Sequence, residues 1–317
     1  MKKIDVSLVI PLLNEELNIP NLFDELKKFI LSNNNNFTLE LVFVDDGSTD
    51  NTISVIHSYA KTIDTSLKVI KLSKNFGSYN ALRAGALHAS GNIVTFAYAD
   101  LQDPLSLIGE MFKKIIEKND IVIAQRSTTK YGMFESLFSR CYAYTIRKIA
   151  IPDFPQNGFD VVMFNEKVKN YVNSNIESNT SITLQIIYSG FKKSFIKYDK
   201  DERKFGKSKW TLSKKIKLFI DSVVQYSYLP LRMISITGIL LSILGFSWAA
   251  YLVILKIMGI GETKGWTALI CLIAIGFGGV LIALGIIAEY LWRTLDAARN
   301  RPAFIIEEIF QNKKDDK

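Results

Sequence analysis

Two unbroken apolar stretches, Met233 to Leu255 and Thr267 to Trp292, constrain this chain more than any other feature. Each exceeds the roughly 20 apolar residues needed to cross a hydrocarbon core, and neither keeps the polar face of a soluble helix. The segment Lys256 to Gly265 joins them, so the chain crosses a membrane and returns. Lys214, Lys215, Lys217 and Arg232 precede the first span and Arg293, Arg299 and Arg301 follow the second. The connecting segment carries only Lys256 and Lys264, offset by Glu262. This asymmetry places both flanks in the cytoplasm, as in a multi-pass protein of the cytoplasmic (inner) membrane.

The expected organisation is a cytoplasmic domain over 1–209, a juxtamembrane interfacial helix over 210–232, a hairpin of spans 233–255 and 267–292, and a cytoplasmic tail over 293–317. Gly276, Gly278, Gly279 and Gly285 allow close helix packing, within the hairpin or between subunits of a homo-oligomer, or are simply tolerated in lipid. Glu289 stands four residues before Arg293, the spacing of a helical ion pair. Trp210 to Tyr228 mixes lysines with Leu218, Phe219, Ile220, Val223 and Val224, the profile of a helix at headgroup depth. Phe134 to Ile151 is a weaker example of the same pattern.

The net charge of +8 raises the question of nucleic acid, but the basic residues flank the apolar tail or lie on helix surfaces, without the aromatic-interleaved basic repeat of a nucleic-acid binder. Cys141 and Cys271 form neither a metal-type pair nor a disulfide framework, in keeping with a reducing compartment.

Before the hairpin, short apolar runs alternate with helix-like segments. Val6 to Ile10, Leu39 to Val44, Lys68 to Leu72, Ile93 to Tyr98 and Asp120 to Ala124 read as strands. Helices are expected over Ile19 to Leu31, about Asp50 to Thr62, about Ser78 to Ala89, and after Pro104. Such alternation predicts an α/β domain with a mainly parallel sheet, in which ligands sit beyond the carboxyl ends of the strands. Those ends carry Pro11 to Glu16, Asp45 to Asp50, Ser73 to Gly77, and Asp100 to Pro104. Each run alone is ordinary turn and cap chemistry. Together they deliver acids, amides and glycines to one rim, the equipment for a nucleotide diphosphate.

Asp45 or Asp46 can accept from a base N–H or a ribose hydroxyl. A diphosphate needs a cation, and oxygen ligands suit Mg2+ or Mn2+. In an extended segment alternate residues share a face, so Asp100 and Gln102 are expected to project together as metal ligands, with Asp103 turned away.

These motifs, Val9-Ile10-Pro11 with Asn14-Glu15, Val44-Asp45-Asp46-Gly47-Ser48, Asn75-Phe76-Gly77, Asp100-Leu101-Gln102-Asp103-Pro104, and Arg203 to Trp210 followed by the hairpin, resemble the family 2 glycosyltransferases of the GT-A fold. More narrowly they resemble the polyprenyl-phosphate glycosyltransferases related to dolichol-phosphate mannose synthase. The resemblance covers nearly the whole chain. It implies inverting transfer of a sugar from a nucleotide diphosphate sugar to a polyprenyl phosphate. The nucleotide sugar would lie against Pro11, Asn14, Glu15, Asp45, Asp46, Ser48, Asn75, Gly77 and Asp100. Asp100, Gln102, Arg126, Arg203 and Lys209 would carry catalysis, and Arg126, Arg203, Lys207, Lys209 and Trp210 would meet the acceptor phosphate. A UDP-sugar and undecaprenyl phosphate are the favoured substrates.

Two departures stand out. Tyr98 occupies the position where many relatives have the first acid of Asp-x-Asp, and Asn157-Gly158-Phe159-Asp160 replaces the Gly-Asp-Phe-Arg pattern of other branches, leaving the role of Asp160 open. Rival readings are a catalytically silent, membrane-anchored nucleotide-sugar-binding protein, and a processive polysaccharide synthase. The second would bring a Gln-x-x-Arg-Trp motif and further spans, neither of which this sequence has.

Overall fold

The computed structural model describes residues 4–33, 36–127, 142–148, 151–177, 180–200, 212–259, 265–299 and 301–312. They divide into two units, residues 1–223 with 302–317, and residues 224–301.

The first unit is built on an eight-stranded sheet. Its strands are β1 (Val6–Leu12), β2 (Leu39–Asp45), β3 (Ser66–Leu72), β4 (Ile93–Phe96), β5 (Ile121–Arg126), β6 (Phe159–Phe164), β7 (Lys193–Tyr198) and β8 (Ile306–Asn312). The spatial order is β7-β5-β6-β4-β1-β2-β3-β8. β1 pairs in parallel with β2 and β4, β2 with β3, and β5 with β7, while β6 and β8 run antiparallel to their neighbours. β1, Val-Ser-Leu-Val-Ile-Pro-Leu, is buried along its whole length, as a strand covered on both faces must be.

The helices of this unit are α1 (Ile19–Asn33), α2 (Thr52–Ala60), α3 (Ser78–His88), α4 (Ser106–Ile116), α5 (Glu166–Ser174), α6 (Ile182–Tyr188) and α7 (Leu212–Tyr226). α1 buries Ile19, Leu22, Phe23, Leu26 and Phe29, the three-and-four spacing that lays one apolar stripe on the sheet. α4 does the same with Leu107, Ile108, Met111 and Ile115.

The second unit consists of α8 (Leu229–Ile257) and α9 (Trp266–Arg299). Leu229–Ile257 has a mean hydropathy of 2.1 and Ile275–Arg299 of 1.8, and both are long and apolar enough to cross a membrane. The 29 residues of α8 span about 43 Å at the α-helical rise, more than a hydrocarbon core. Leu240, Ile243, Leu244, Phe246, Phe277 and Leu281 are all exposed, an arrangement that lipid would cover. The Glu289–Arg293 ion pair forms as expected, at 2.8 Å. Of the four glycines named above, only Gly279 has another residue's side chain, that of Leu241, within 4 Å of where its Cβ would be, among the described residues.

Three strands lie outside the sequence-based reading. β6 and β7 complete the β5 side of the sheet, and β8 draws the segment after the hairpin back onto β3. Ser73 N–H donates to Ile305 O at 3.0 Å, and Lys71 pairs with Glu307 at 3.0 Å. The juxtamembrane helix covers Leu212–Tyr226 and a new helix starts after Tyr228. Ser222 of α7 is buried, with its Oγ 3.2 Å from the Tyr142 hydroxyl, and Phe219 meets the Tyr142 ring edge-on, while Ile216 and Ile220 stay exposed. One face of α7 therefore packs on residues 142–148, and the other presents apolar side chains outward. Of the weaker interfacial segment, 142–148 is helical and the remainder up to residue 150 lies outside the described residues.

Candidate active site

The parallel strands end along one rim, and strand order fixes the sequence of loops on it. From one edge inward come the loop after β3 (Ser73–Gly77), the loop after β2 (Asp45–Asn51), the loop after β1 (Leu13–Asn18) and the loop after β4 (Ala97–Asp103). Then come the start of antiparallel β6 with Asp160, Arg126 closing β5, and Tyr198 to Lys200 at the end of β7.

The first three loops interlock. Asn14, at φ +51°, donates its N–H to Ser48 Oγ at 2.9 Å and accepts Thr49 N–H on Oδ1 at 2.8 Å. Glu15 N–H reaches Thr52 Oγ1 at 2.9 Å, and Asp46 N–H reaches Leu12 O at 2.8 Å. Gly47 sits at φ +73°, where a Cβ would lie 2.6 Å from the Lys74 carbonyl carbon; any side chain would force the two loops apart. Pro11 lies opposite Val44 in the register, one residue before the Leu12–Asp45 pair.

The two adjacent acids do different work. Asp46 accepts Phe76 N–H at 2.7 Å and Gly77 N–H at 2.9 Å, one on each oxygen. It thereby holds the Asn75–Gly77 turn, in which Asn75 Oδ1 also accepts from Gly77 N–H and Gly77 opens α3 at φ +93°. Burial raises the Asp46 carboxyl to about 6 in spite of these hydrogen bonds. Asp45 accepts Ser48 N–H on Oδ2 at 3.1 Å, but its Oδ1 is buried with no partner among the described residues. Burial raises this carboxyl as well. The sequence left Asp45 and Asp46 equivalent as acceptors; of their four oxygens, Asp45 Oδ1 is the one without a hydrogen-bond partner among the described residues.

At the loop after β4 the extended geometry assumed for Asp100 and Gln102 does not hold. β4 ends at Phe96, Leu101 N–H donates to Tyr98 O at 3.1 Å, and Leu101 has φ +52°, so the segment turns. Gln102 N–H approaches Asp100 Oδ1 at 3.4 Å within this turn. Asp103 does point away from them, into the domain. Its Oδ1 accepts the Tyr198 hydroxyl, and Lys200 Nζ lies 3.9 Å from the same oxygen. Tyr98 is half-buried, its hydroxyl pushed up by burial first and by the nearby Tyr79 second.

Beyond this turn lies a charged hub. Arg126 grips Asp160 through two guanidinium nitrogens, and Lys200 Nζ reaches Asp160 Oδ2 at 2.6 Å. Asn157 Nδ2 ties the Arg126 and Ser127 carbonyls at 3.2 and 3.0 Å. Burial would raise Asp160, but the Arg126 and Lys200 charges outweigh it and hold the carboxylate low. Burial together with the Asp160 charge lifts Asp103 to about 6. Arg126 therefore arrives at the rim already paired, and Asp160, whose role the motif left open, is what holds it there.

Lys200 and Tyr198, the partners of Asp103, escaped the sequence reading because β7 did. The alternation in Lys193 to Tyr198 was the signal available. Arg203, Lys207, Lys209 and Trp210 lie outside the described residues.

No group of three or more His, Cys, Asp or Glu among the described residues is arranged to hold a metal. Asp100 and Gln102 nevertheless offer only oxygen donors, the chemistry of Mg2+ or Mn2+ bound by one carboxylate and completed by substrate phosphates.

Residues 7–202 match the family described as glycosyl transferase family 2. Over its length the chain is 34% identical to an uncharacterized glycosyltransferase, YkcC, of Bacillus subtilis, covering 99% of this chain and 97% of that one. It is 29% identical to a prophage-derived bactoprenol glucosyl transferase of Shigella flexneri, with 96% and 97% covered. It is 28% identical to an undecaprenyl-phosphate 4-deoxy-4-formamido-L-arabinose transferase of Proteus mirabilis, with 98% and 96% covered. With its GT-A-like α/β domain and two C-terminal apolar helices, the chain belongs to glycosyl transferase family 2 and is a glycosyltransferase.

Proposed function

We propose that this enzyme transfers a sugar, with inversion, from a UDP-sugar to undecaprenyl phosphate at the cytoplasmic face of the membrane. The observation that carries this reading is the order of groups along the rim. A single unsatisfied carboxylate oxygen at the end of β2 is followed by oxygen donors after β4, and then by two cations at the ends of β5 and β7. That is the order of base, diphosphate and incoming phosphate in such a reaction. The names of the Shigella and Proteus relatives support a polyprenyl phosphate acceptor.

Asp45 also supports uridine. Guanine presents two adjacent donors, whereas Asp45 has one oxygen without a partner among the described residues, matching the single N3–H of uracil. Gly77, its N–H held by Asp46 and Asn75, fixes the turn that brings the N-terminus of α3 beside the nucleotide. Asp100 and Gln102 would hold Mg2+ or Mn2+, which when bound neutralises the departing diphosphate. The acceptor phosphate is anionic near neutral pH, so the remaining work is placement: Arg126 and Lys200, steadied by Asp160, attract it and hold its oxygen in line with the anomeric carbon. Arg203, Lys207, Lys209 and Trp210, outside the described residues, are the further acceptor-phosphate candidates offered by sequence alone.

β8 pairs with β3, so both flanks of the hairpin belong to one domain, which supports head and C-terminal strand sharing one side of the membrane. The lysines and arginines beside the spans support the cytoplasmic side. The test is to incubate the purified full-length protein with undecaprenyl phosphate, divalent metal and a panel of nucleotide sugars, reading lipid products by mass. One UDP-sugar should yield a glycosyl phospholipid; no product from any uridine or guanosine donor would refute the reading.

A further inference from the structure

Several buried polar atoms lack a hydrogen-bond partner among the described residues, and two of them stand on segments tied to each other. Asn80 Oδ1 and Thr180 Oγ1 have no hydrogen-bond partner among the described residues. Buried groups of this kind are costly, and folded proteins keep them where something outside the chain completes them. Close by, Ser181 Oγ and Thr183 Oγ1 are 2.7 Å apart and satisfy each other. The Asn80 amide nitrogen donates to Phe76 O at 3.0 Å, which fixes the orientation of the amide and leaves Oδ1 without a partner.

The two atoms stand on segments that are clamped together. Arg83, one turn beyond Asn80 on α3 and 2% exposed, donates to Thr180 O at 3.0 Å and to Gln185 Oε1 at 2.6 Å. Tyr79 hydrogen-bonds Ser181 and feels the charge of Asp160, and Tyr98 lies within the field of Tyr79, Asp100 and Asp160. Asn80 thus stands at the first turn of α3, against the Asn75–Gly77 turn of the rim, with the start of the 180–185 segment clamped to the same helix through Arg83. The donor reading above puts the sugar of a nucleotide diphosphate sugar beside that turn.

We infer that Asn80 and Thr180 read ring hydroxyls of the transferred hexose. One sugar hydroxyl donates to Asn80 Oδ1, and a second exchanges a hydrogen bond with Thr180 Oγ1. This rests on the donor reading proposed above. A site built to hydrogen-bond a hydroxyl discriminates strongly against a sugar that does not present it, because its own buried groups are then left unpaired.

The test uses the full-length chain in detergent, with UDP and with UDP-glucose, UDP-galactose and UDP-N-acetylglucosamine as probes, comparing wild type with Asn80→Leu and Thr180→Val. Expected are a UDP affinity within about twofold of wild type and a drop of about tenfold in the preference for the best UDP-sugar over UDP. The thermal midpoint should stay level or rise, since an orphaned polar group has been removed. An unchanged preference overturns the inference, as does an equal loss for UDP and UDP-sugar, which would assign both residues to the nucleotide. A lowered midpoint for Thr180→Val also overturns it, by revealing a partner within the protein. A wild type that binds no nucleotide sugar removes the donor reading itself, whereas a wild type that makes product while the variants keep its selectivity removes only the inference.

Discussion

The two ends of the rim are built from different physics. The end proposed to bind the base, formed by the loops after β1, β2 and β3, is held by short neutral and charge-assisted hydrogen bonds between neighbouring loops and by backbone at positive φ. The end proposed to receive the acceptor, around β5, β6 and β7, is held by a largely buried ion-pair hub of Arg126, Asp160 and Lys200, with Asp103 close by. A neutral base is read by one well-placed oxygen in a rigid setting, and a rigid setting needs only local bonds. A phosphate must be drawn in and neutralised, so cations have to be kept ready, and acids have to hold them until it arrives. Preorganisation costs little at the first end, while at the second it requires burying charge.

The contrast can be sharpened by substitutions of decreasing effect. Asp100→Ala lies between the two ends and should lower kcat/KM at least a thousandfold, about 4 kcal/mol of transition-state stabilisation, with folding intact. Excess chelator should mimic it; undiminished turnover in chelator would remove the metal role. Asp160→Asn leaves Arg126 and Lys200 facing a neutral partner and should destabilise the domain by about 3 kcal/mol, seen as a lower denaturation midpoint. Asp45→Asn should leave the midpoint nearly unchanged but weaken UDP binding by about 2 kcal/mol, roughly thirtyfold by calorimetry. If Asp45→Asn unfolds the protein and Asp160→Asn does not, the two ends have been assigned the wrong way round.

A smaller effect follows from pH. Asp46 is raised from 3.8 to about 6 by burial, and its ionised form is the one that accepts the Phe76 and Gly77 N–H groups. UDP affinity should therefore fall as the pH drops through about 6, with a shallower fall in Asp46→Asn, measured by titration from pH 5 to 8. Stability runs the other way. Between 3.8 and about 6 the folded state keeps a proton that the unfolded chain has lost, so this group's contribution to stability declines as the pH rises through that window.

The base end was largely legible in the sequence because each of its loops follows a continuous apolar strand and carries turn residues with a definite conformational reason. Asp45 could not be told from Asp46, since which carboxylate oxygen the backbone occupies depends on how the loop after β3 folds back. At the loop after β4 the residues were found but their geometry was misjudged, because the positive φ at Leu101 breaks a period-two pattern that the letters alone suggest. The acceptor end was read least. β6 and β7 are short and lie far along the chain from the strands they join, and the partnership of Arg126 with Asp160 and Lys200 is created by pairing across the sheet rather than by proximity in sequence. β8 escaped for the same reason: its partner β3 lies on the far side of the hairpin in sequence.

Two-substrate steady-state kinetics on Asp45→Asn and Arg126→Lys would test the division of the rim most directly. A base end that binds the donor and a hub that receives the acceptor predict that Asp45→Asn raises KM for the UDP-sugar and leaves KM for undecaprenyl phosphate unchanged. Arg126→Lys, which loses the two-pronged grip on Asp160, should do the reverse. Both variants raising the same KM would contradict the assignment of separate ends to donor and acceptor.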